Sequence, residues 1–136
     1  MKGFKRSIAL TMAIVLLMTV IATIPASAAE ARFNNTEMTS ENFFINDNGV
    51  ATIAILYTGY EDLTDGALVT IELERKTLLW WSNVKTWTIG FNGWTNGTVE
   101  TVQLSKKGEY RIFVQYQISG TGGADDVFSF YMYDEY

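Results

Sequence analysis

Residues 42–136 read as a run of short strand signatures, broken about every ten residues by asparagine, aspartate and glycine, with no proline and no helical period. Such a stretch can only bury its apolar side chains by stacking pleated layers. Residues 110–118 are the clearest case. Tyr110, Ile112, Val114, Tyr116 and Ile118 share one face, Arg111, Gln115 and Gln117 share the other, and Phe113 breaks the alternation. Residues 68–76 alternate in the same way, with Val69, Ile71 and Leu73 opposite Thr70, Glu72 and Glu74. Residues 50–60 are almost wholly apolar and predict a strand covered on both faces. Shorter strands are predicted at 42–46, 84–89, 98–104 and 127–133. The turns between them are Asn46-Asp47-Asn48-Gly49, residues 61–66, a glycine-rich stretch at 90–97 with two Asn-Gly pairs, Ser105-Lys106-Lys107-Gly108 and residues 120–126. About seven strands at this spacing predict an antiparallel β-sandwich, with an open barrel as the alternative.

The preceding residues belong to another kind of segment. Lys2, Lys5 and Arg6 lead into an apolar stretch from Ile8 to Ile24, closed by Pro25 and by Ala26-Ser27-Ala28. This is the layout of a cleavable signal peptide, cut after Ala28 or, by the second small-residue triplet, after Ala31. An uncleaved anchor is the competing reading, since the stretch reaches the lower limit of a membrane span. The expected organisation is therefore a signal-peptide helix over 1–28, a flexible N-terminal arm over 29–41 with an edge strand near 32–38, and the sandwich over 42–136. The expected location is secreted and extracellular.

Cleavage after residue 28 would leave 108 of the 136 residues and remove three of the ten basic side chains but none of the fifteen acidic ones, for a net charge of −8. That balance argues against nucleic acid and against anionic lipid surfaces, so membrane contact is expected only through the signal peptide. The sequence contains no cysteine, so stability has to come from packing without disulfides.

The segment Leu104-Ser-Lys-Lys-Gly108-Glu-Tyr110-Arg-Ile112 resembles the tyrosine corner of immunoglobulin-like sandwiches. The resemblance implies that the Tyr110 hydroxyl bonds back to the preceding turn. It also implies that Ile112 stands where the second cysteine would be and that Trp87 is the core tryptophan. A further pattern, Ile71-x-Leu73-x-x-Lys76, Trp81-x-x-Val84-Lys85-Thr86-Trp87 and Lys107-Gly108-x-Tyr110-Arg111, is similar to small secreted β-sandwich proteins of Gram-positive bacteria. That likeness implies export and a sandwich, and no activity.

The chain has no histidine and no cysteine, which removes the usual nucleophile and base pairs and the usual zinc and iron ligands. Catalysis would fall to carboxylate pairs such as those among Glu72, Glu74 and Glu100, which as exposed strand acids read as solvated residues. The expectation is a non-enzyme. Asp125-Asp126 and the pair Asp62 and Asp65 lack the spacing of a calcium loop and read as turn chemistry. No metal site and no cofactor is expected.

The aromatic residues are the remaining signal. Trp80, Trp81, Trp87 and Trp94, with Tyr131, Tyr133 and Tyr136, could stack against flat ligands such as sugar rings, or fill the core. The expected ligand platform is Trp80 or Trp81 together with Trp94. The function this predicts is surface binding or a structural role outside the cell, with a cell-surface glycan or another extracellular protein as partner. A carbohydrate-binding module is the specific version. A membrane-active effector and self-assembly through residues 50–57 and 127–133 are the other classes.

Overall fold

A computed structural model describes residues 33–136; the expected signal-peptide helix and cleavage site lie outside the described residues. Seven strands follow one another: β1 (Thr36–Ile45), β2 (Val50–Gly59), β3 (Thr64–Lys76), β4 (Trp81–Asn92), β5 (Thr95–Gln103), β6 (Glu109–Gly120) and β7 (Asp126–Glu135). They form two antiparallel sheets, ordered β1-β2-β5 and β4-β3-β6-β7. This is the immunoglobulin-like arrangement with the fourth strand carried by the larger sheet.

The layers meet through the faces that the alternation marks. Ala51, Ile53, Ile55 and Tyr57 of β2 oppose Ala67, Val69, Ile71 and Leu73 of β3 together with Tyr110, Ile112, Val114, Tyr116 and Ile118 of β6, all buried. Each fully buried aliphatic side chain contributes about 1.5–3 kcal/mol of transfer free energy. That sum holds a small domain that has no cysteine to cross-link.

Residues 50–60 differ from expectation. Only one face of β2 is sealed, and Leu56 on the other face is exposed. Antiparallel sheets tolerate one wet face, so a nearly continuous apolar run did not require cover on both.

Of the expected flexible arm over 29–41, residues 29–32 lie outside the described residues, and the rest differs from expectation. Residues predicted as two separate strands, near 32–38 and at 42–46, form the single strand β1, and the segment before it is fastened to β7. Asn35 and Thr36 are buried. Asp126 accepts hydrogen bonds from the backbone amides of Asn34 at 2.8 Å and Asn35 at 2.7 Å, and from the Thr36 hydroxyl at 2.8 Å. At the other end of β1, Asp134 accepts from the Ile45 amide at 2.6 Å. Two aspartates of the larger sheet thus satisfy edge donors of the smaller one. Between them Glu41 turns inward, a device that discourages foreign strands from pairing with an edge. Its Oε1 and the hydroxyl of Tyr116 are both buried without a hydrogen-bond partner among the described residues. Burial, and after it the Glu41 carboxylate, holds the Tyr116 phenol far above its ordinary value.

The resemblance to a tyrosine corner holds in geometry: the Tyr110 hydroxyl donates to the Lys106 carbonyl at 2.5 Å, and Ile112 is fully buried. Trp87 does not take the central position. It lies on the edge strand β4, paired with Ile71, and packs on the core while partly exposed. Ile71 on the inner strand β3 fills the space instead. Among the turns, Gly49 (φ 76°) and Gly93 (φ 86°) adopt the left-handed conformation that the Asn-Gly signals require.

Candidate functional site

The outer face of the larger sheet carries a cluster of rings around one guanidinium. On β7 the inward Phe128, Phe130 and Met132 pack against the core, which turns Tyr131 and Tyr133 to the opposite face. Register pairs Tyr133 with Arg111 and Tyr131 with Phe113 on β6, and Arg111 with Glu74 on β3. Trp81 opens β4 opposite Lys76, two residues along β3 from Glu74. β4 and β7 are the two outer strands of the sheet, yet the Trp81 and Tyr133 rings approach to 5.9 Å between centroids in an edge-on contact. They reach each other across the intervening strands, and Arg111 lies within this arch.

The Arg111 guanidinium sits 4.4 Å from the Trp81 ring centroid and 4.5 Å from that of Tyr131, and its Nε donates to Glu74 at 2.6 Å. Phe113 and Tyr131 complete the cluster with centroids 5.0 Å apart. The rings shelter the ion pair, leaving the Arg111 and Glu74 side chains 19% and 16% exposed. Burial disfavours the Arg111 charge, but the hydrogen bonds with Glu74 and Tyr133 outweigh it and hold the pKa above its ordinary value. Arg111 is therefore a cation held by one carboxylate and two aromatic rings. Its role is to stiffen the rings.

Tyr131 and Tyr133 remain 47% and 62% exposed. The result is a braced, partly exposed aromatic surface that carries two tyrosines. Such a surface can stack on the C–H face of a ring and hydrogen-bond at its edge.

The expected platform of Trp80 or Trp81 with Trp94 is not assembled. Trp81 joins the cluster. Trp80 lies in the β3–β4 turn, 65% exposed. Trp94 lies in the β4–β5 turn, at the far end of the twelve-residue strand β4, so that roughly 35 Å of strand separates it from Trp81. That turn is pinned by Gly59 N donating to Trp94 O at 2.6 Å, by the Tyr57 hydroxyl donating to Gly93 O at 2.6 Å, and by Gly93 N donating to Asp65 O at 2.7 Å. These contacts fix the backbone of the turn, and the Trp94 side chain is 37% exposed.

Sequence reasoning placed Trp81, Tyr131 and Tyr133 among the aromatic candidates, read Glu74 as a solvated strand acid where it instead holds Arg111, and missed Arg111 and Phe113. The signal was present: Phe113 is the apolar exception on the wet face of β6, two residues from Arg111. Four of the acidic candidates have partners. Glu74 is paired with Arg111, and Glu100, on the other sheet, accepts from the Thr98 hydroxyl at 3.0 Å. Asp125 accepts from Gln117 at 2.8 Å, and both Asp126 oxygens serve the β1 latch. No family model matches this sequence, and no curated protein matches it.

Proposed function

We propose that the chain is an exported, non-catalytic β-sandwich that acts by surface binding, with the outer face of β4-β3-β6-β7 as the binding face and an extracellular glycan as the ligand class. The observation that carries this reading is the arch of Trp81, Tyr131 and Tyr133 braced by Arg111. Rings that only filled space would be covered, whereas the two tyrosines keep about half their surface open while held rigid. Rigid aromatic area costs little ordering entropy on binding, which suits a shallow, repetitive ligand such as a polysaccharide. Export is supported by the leader pattern of residues 1–28 and by the Gram-positive likeness of residues 71–111. The absence of histidine and cysteine from the sequence supports a binding role over a hydrolytic one.

The test is a glycan array followed by titration of the best ligand. Tyr131→Ala and Tyr133→Ala each lower affinity about tenfold, the loss of roughly one stacked ring, and Trp94→Ala leaves affinity unchanged. Absence of binding to any glycan, or native affinity in the Tyr131→Ala/Tyr133→Ala double variant, overturns the reading.

A further inference from the structure

The β3–β4 turn pushes three consecutive apolar side chains into solvent: Leu78 is 97%, Leu79 78% and Trp80 65% exposed. The turn itself is tightly closed. Thr77 N and the Thr77 hydroxyl both donate to Trp80 O, at 2.8 and 2.7 Å, and Trp80 N donates to the Thr77 hydroxyl at 3.3 Å. The side chains are therefore presented outward by a formed backbone. Exposed turns are normally built from polar residues, glycine and proline, and contiguous exposed apolar surface marks an interaction site.

Beneath this turn, between the ends of the two sheets, lies a cavity of about 320 Å³ that shares Thr77 with it and is lined by Arg75, Ser82, Ser105, Lys106 and Tyr110 among others. Arg75 continues the inward row of Val69, Ile71 and Leu73, so an arginine occupies a core-facing position at the mouth of the sandwich. Its Nε is buried and has no acceptor among the described residues. The ion pairs among the described residues are Lys76 with Glu109 and Arg111 with Glu74, which leaves Arg75 and Lys106 without a carboxylate partner. No acidic side chain lines the cavity. In a domain this acidic, such a site is built for an oxyanion.

We infer that this end of the sandwich docks on a phospholipid bilayer, with Leu78, Leu79 and Trp80 entering the interfacial layer and Arg75 and Lys106 taking the phosphate of a lipid headgroup. Each half of the site excludes simpler occupants. A soluble oxyanion satisfies Arg75 and leaves the apolar turn in water; a purely apolar partner covers the turn and leaves the buried Nε orphaned. A phospholipid offers both groups in the required order, phosphate outside and hydrocarbon beyond, and tryptophan is favoured at that boundary. Glu61, Asp62, Asp65 and Asp125 lie at the opposite end of the strands, while Asp47, Glu109, Asp134 and Glu135 share the docking end with Arg75, Lys76, Lys106 and Lys107, and Glu109 there is paired with Lys76. Successive residues Glu74 and Arg75 point to opposite faces of β3, so docking leaves the aromatic face free. This membrane contact adds to the one expected of the leader.

The test uses the full chain with vesicles of phosphatidylcholine carrying brominated acyl chains, and the same vesicles with one-fifth phosphatidylglycerol. All four tryptophans lie within residues 80–94, so fluorescence reads the sandwich whatever residues 1–32 contribute. Native protein is quenched and blue-shifted, and Trp80→Phe removes most of that response. Leu78→Ser/Leu79→Ser, which touches only exposed side chains, lowers the apparent partition about tenfold or more. Arg75→Met lowers it several-fold, and Lys106→Ser, in an exposed loop, does so without risk to the core. Brominated vesicles of a phosphate-free galactolipid bind native protein no better than phosphatidylcholine binds Lys106→Ser, and millimolar inorganic phosphate competes with the phospholipid. No quenching with any vesicle, or equal quenching in Leu78→Ser/Leu79→Ser, overturns the docking. Equal binding to phospholipid and galactolipid vesicles overturns the headgroup site.

Discussion

Asp126 accepts three hydrogen bonds from the start of the N-terminal strand, and its replacement gives a sharp test of how that strand is held. The residue is 5% exposed and accepts from two backbone amides and one hydroxyl. Asp126→Ala strands those donors where the backbone is largely buried, and each unsatisfied buried donor costs about 1–3 kcal/mol. With partial access of water to Asn34, the sum is about 3–5 kcal/mol, which for a domain of this size lowers Tm by about 15–30 °C. Asp126→Asn keeps one acceptor oxygen and loses the charge, for about 2 kcal/mol. Burial raises the Asp126 pKa, but the hydrogen bonds from Asn34, Asn35 and Thr36 outweigh it and hold it below the usual carboxylate value. A depressed folded-state pKa contributes stability that is complete above the unfolded value of about 3.9 and lost as pH falls through the folded one. The gap between native protein and Asp126→Asn is therefore constant from pH 8 to about 5 and narrows below that. Urea melts followed by circular dichroism across this range measure the gap, and amide exchange at Asn34 and Asn35 reports the latch directly. A Tm loss under about 3 °C for Asp126→Ala, or a gap that does not change with pH, refutes the reasoning.

Other substitutions separate the remaining contacts. Tyr110→Phe removes the hydroxyl that donates to Lys106 O and costs about 1 kcal/mol in urea unfolding, because the freed carbonyl lies in an exposed loop and finds water. Tyr116→Phe deletes a buried hydroxyl that has no hydrogen-bond partner among the described residues; it is neutral or stabilising by up to about 1 kcal/mol, and a loss above that value contradicts the assignment. Glu74→Ala leaves the sheltered Arg111 guanidinium without its carboxylate and costs about 1–3 kcal/mol, whereas the Glu74→Ala/Arg111→Met double variant recovers much of that loss, a coupling that a double-mutant cycle reads out.

Much of the fold is legible because the side-chain period of a strand is local. The alternation in residues 68–76 and 110–118 names the core faces of β3 and β6 directly. The glycine signals at Gly49 and Gly93 place two turns correctly. Less legible was the strip around residues 29–41, which looks polar and irregular. Within it, Asn34 to Thr36 are held by Asp126, about 90 residues further along the chain, and no local pattern announces such a partner. The run at 50–60 misled for a related reason: apolar content does not state whether a second layer will cover the outer face.

The sequence by itself determined that residues 42–136 form antiparallel strands, that no disulfide can hold the core, and that aromatic residues are the most distinctive chemistry. The tertiary structure decided which of those residues meet. Sheet order brings Trp81 of one outer strand and Tyr131 and Tyr133 of the other over Arg111, and it sends Trp94 to the opposite end. The physical reason is that facing is set within a strand by the pleat, whereas neighbourhood is set between strands by register and order, which depend on burying the whole core at once.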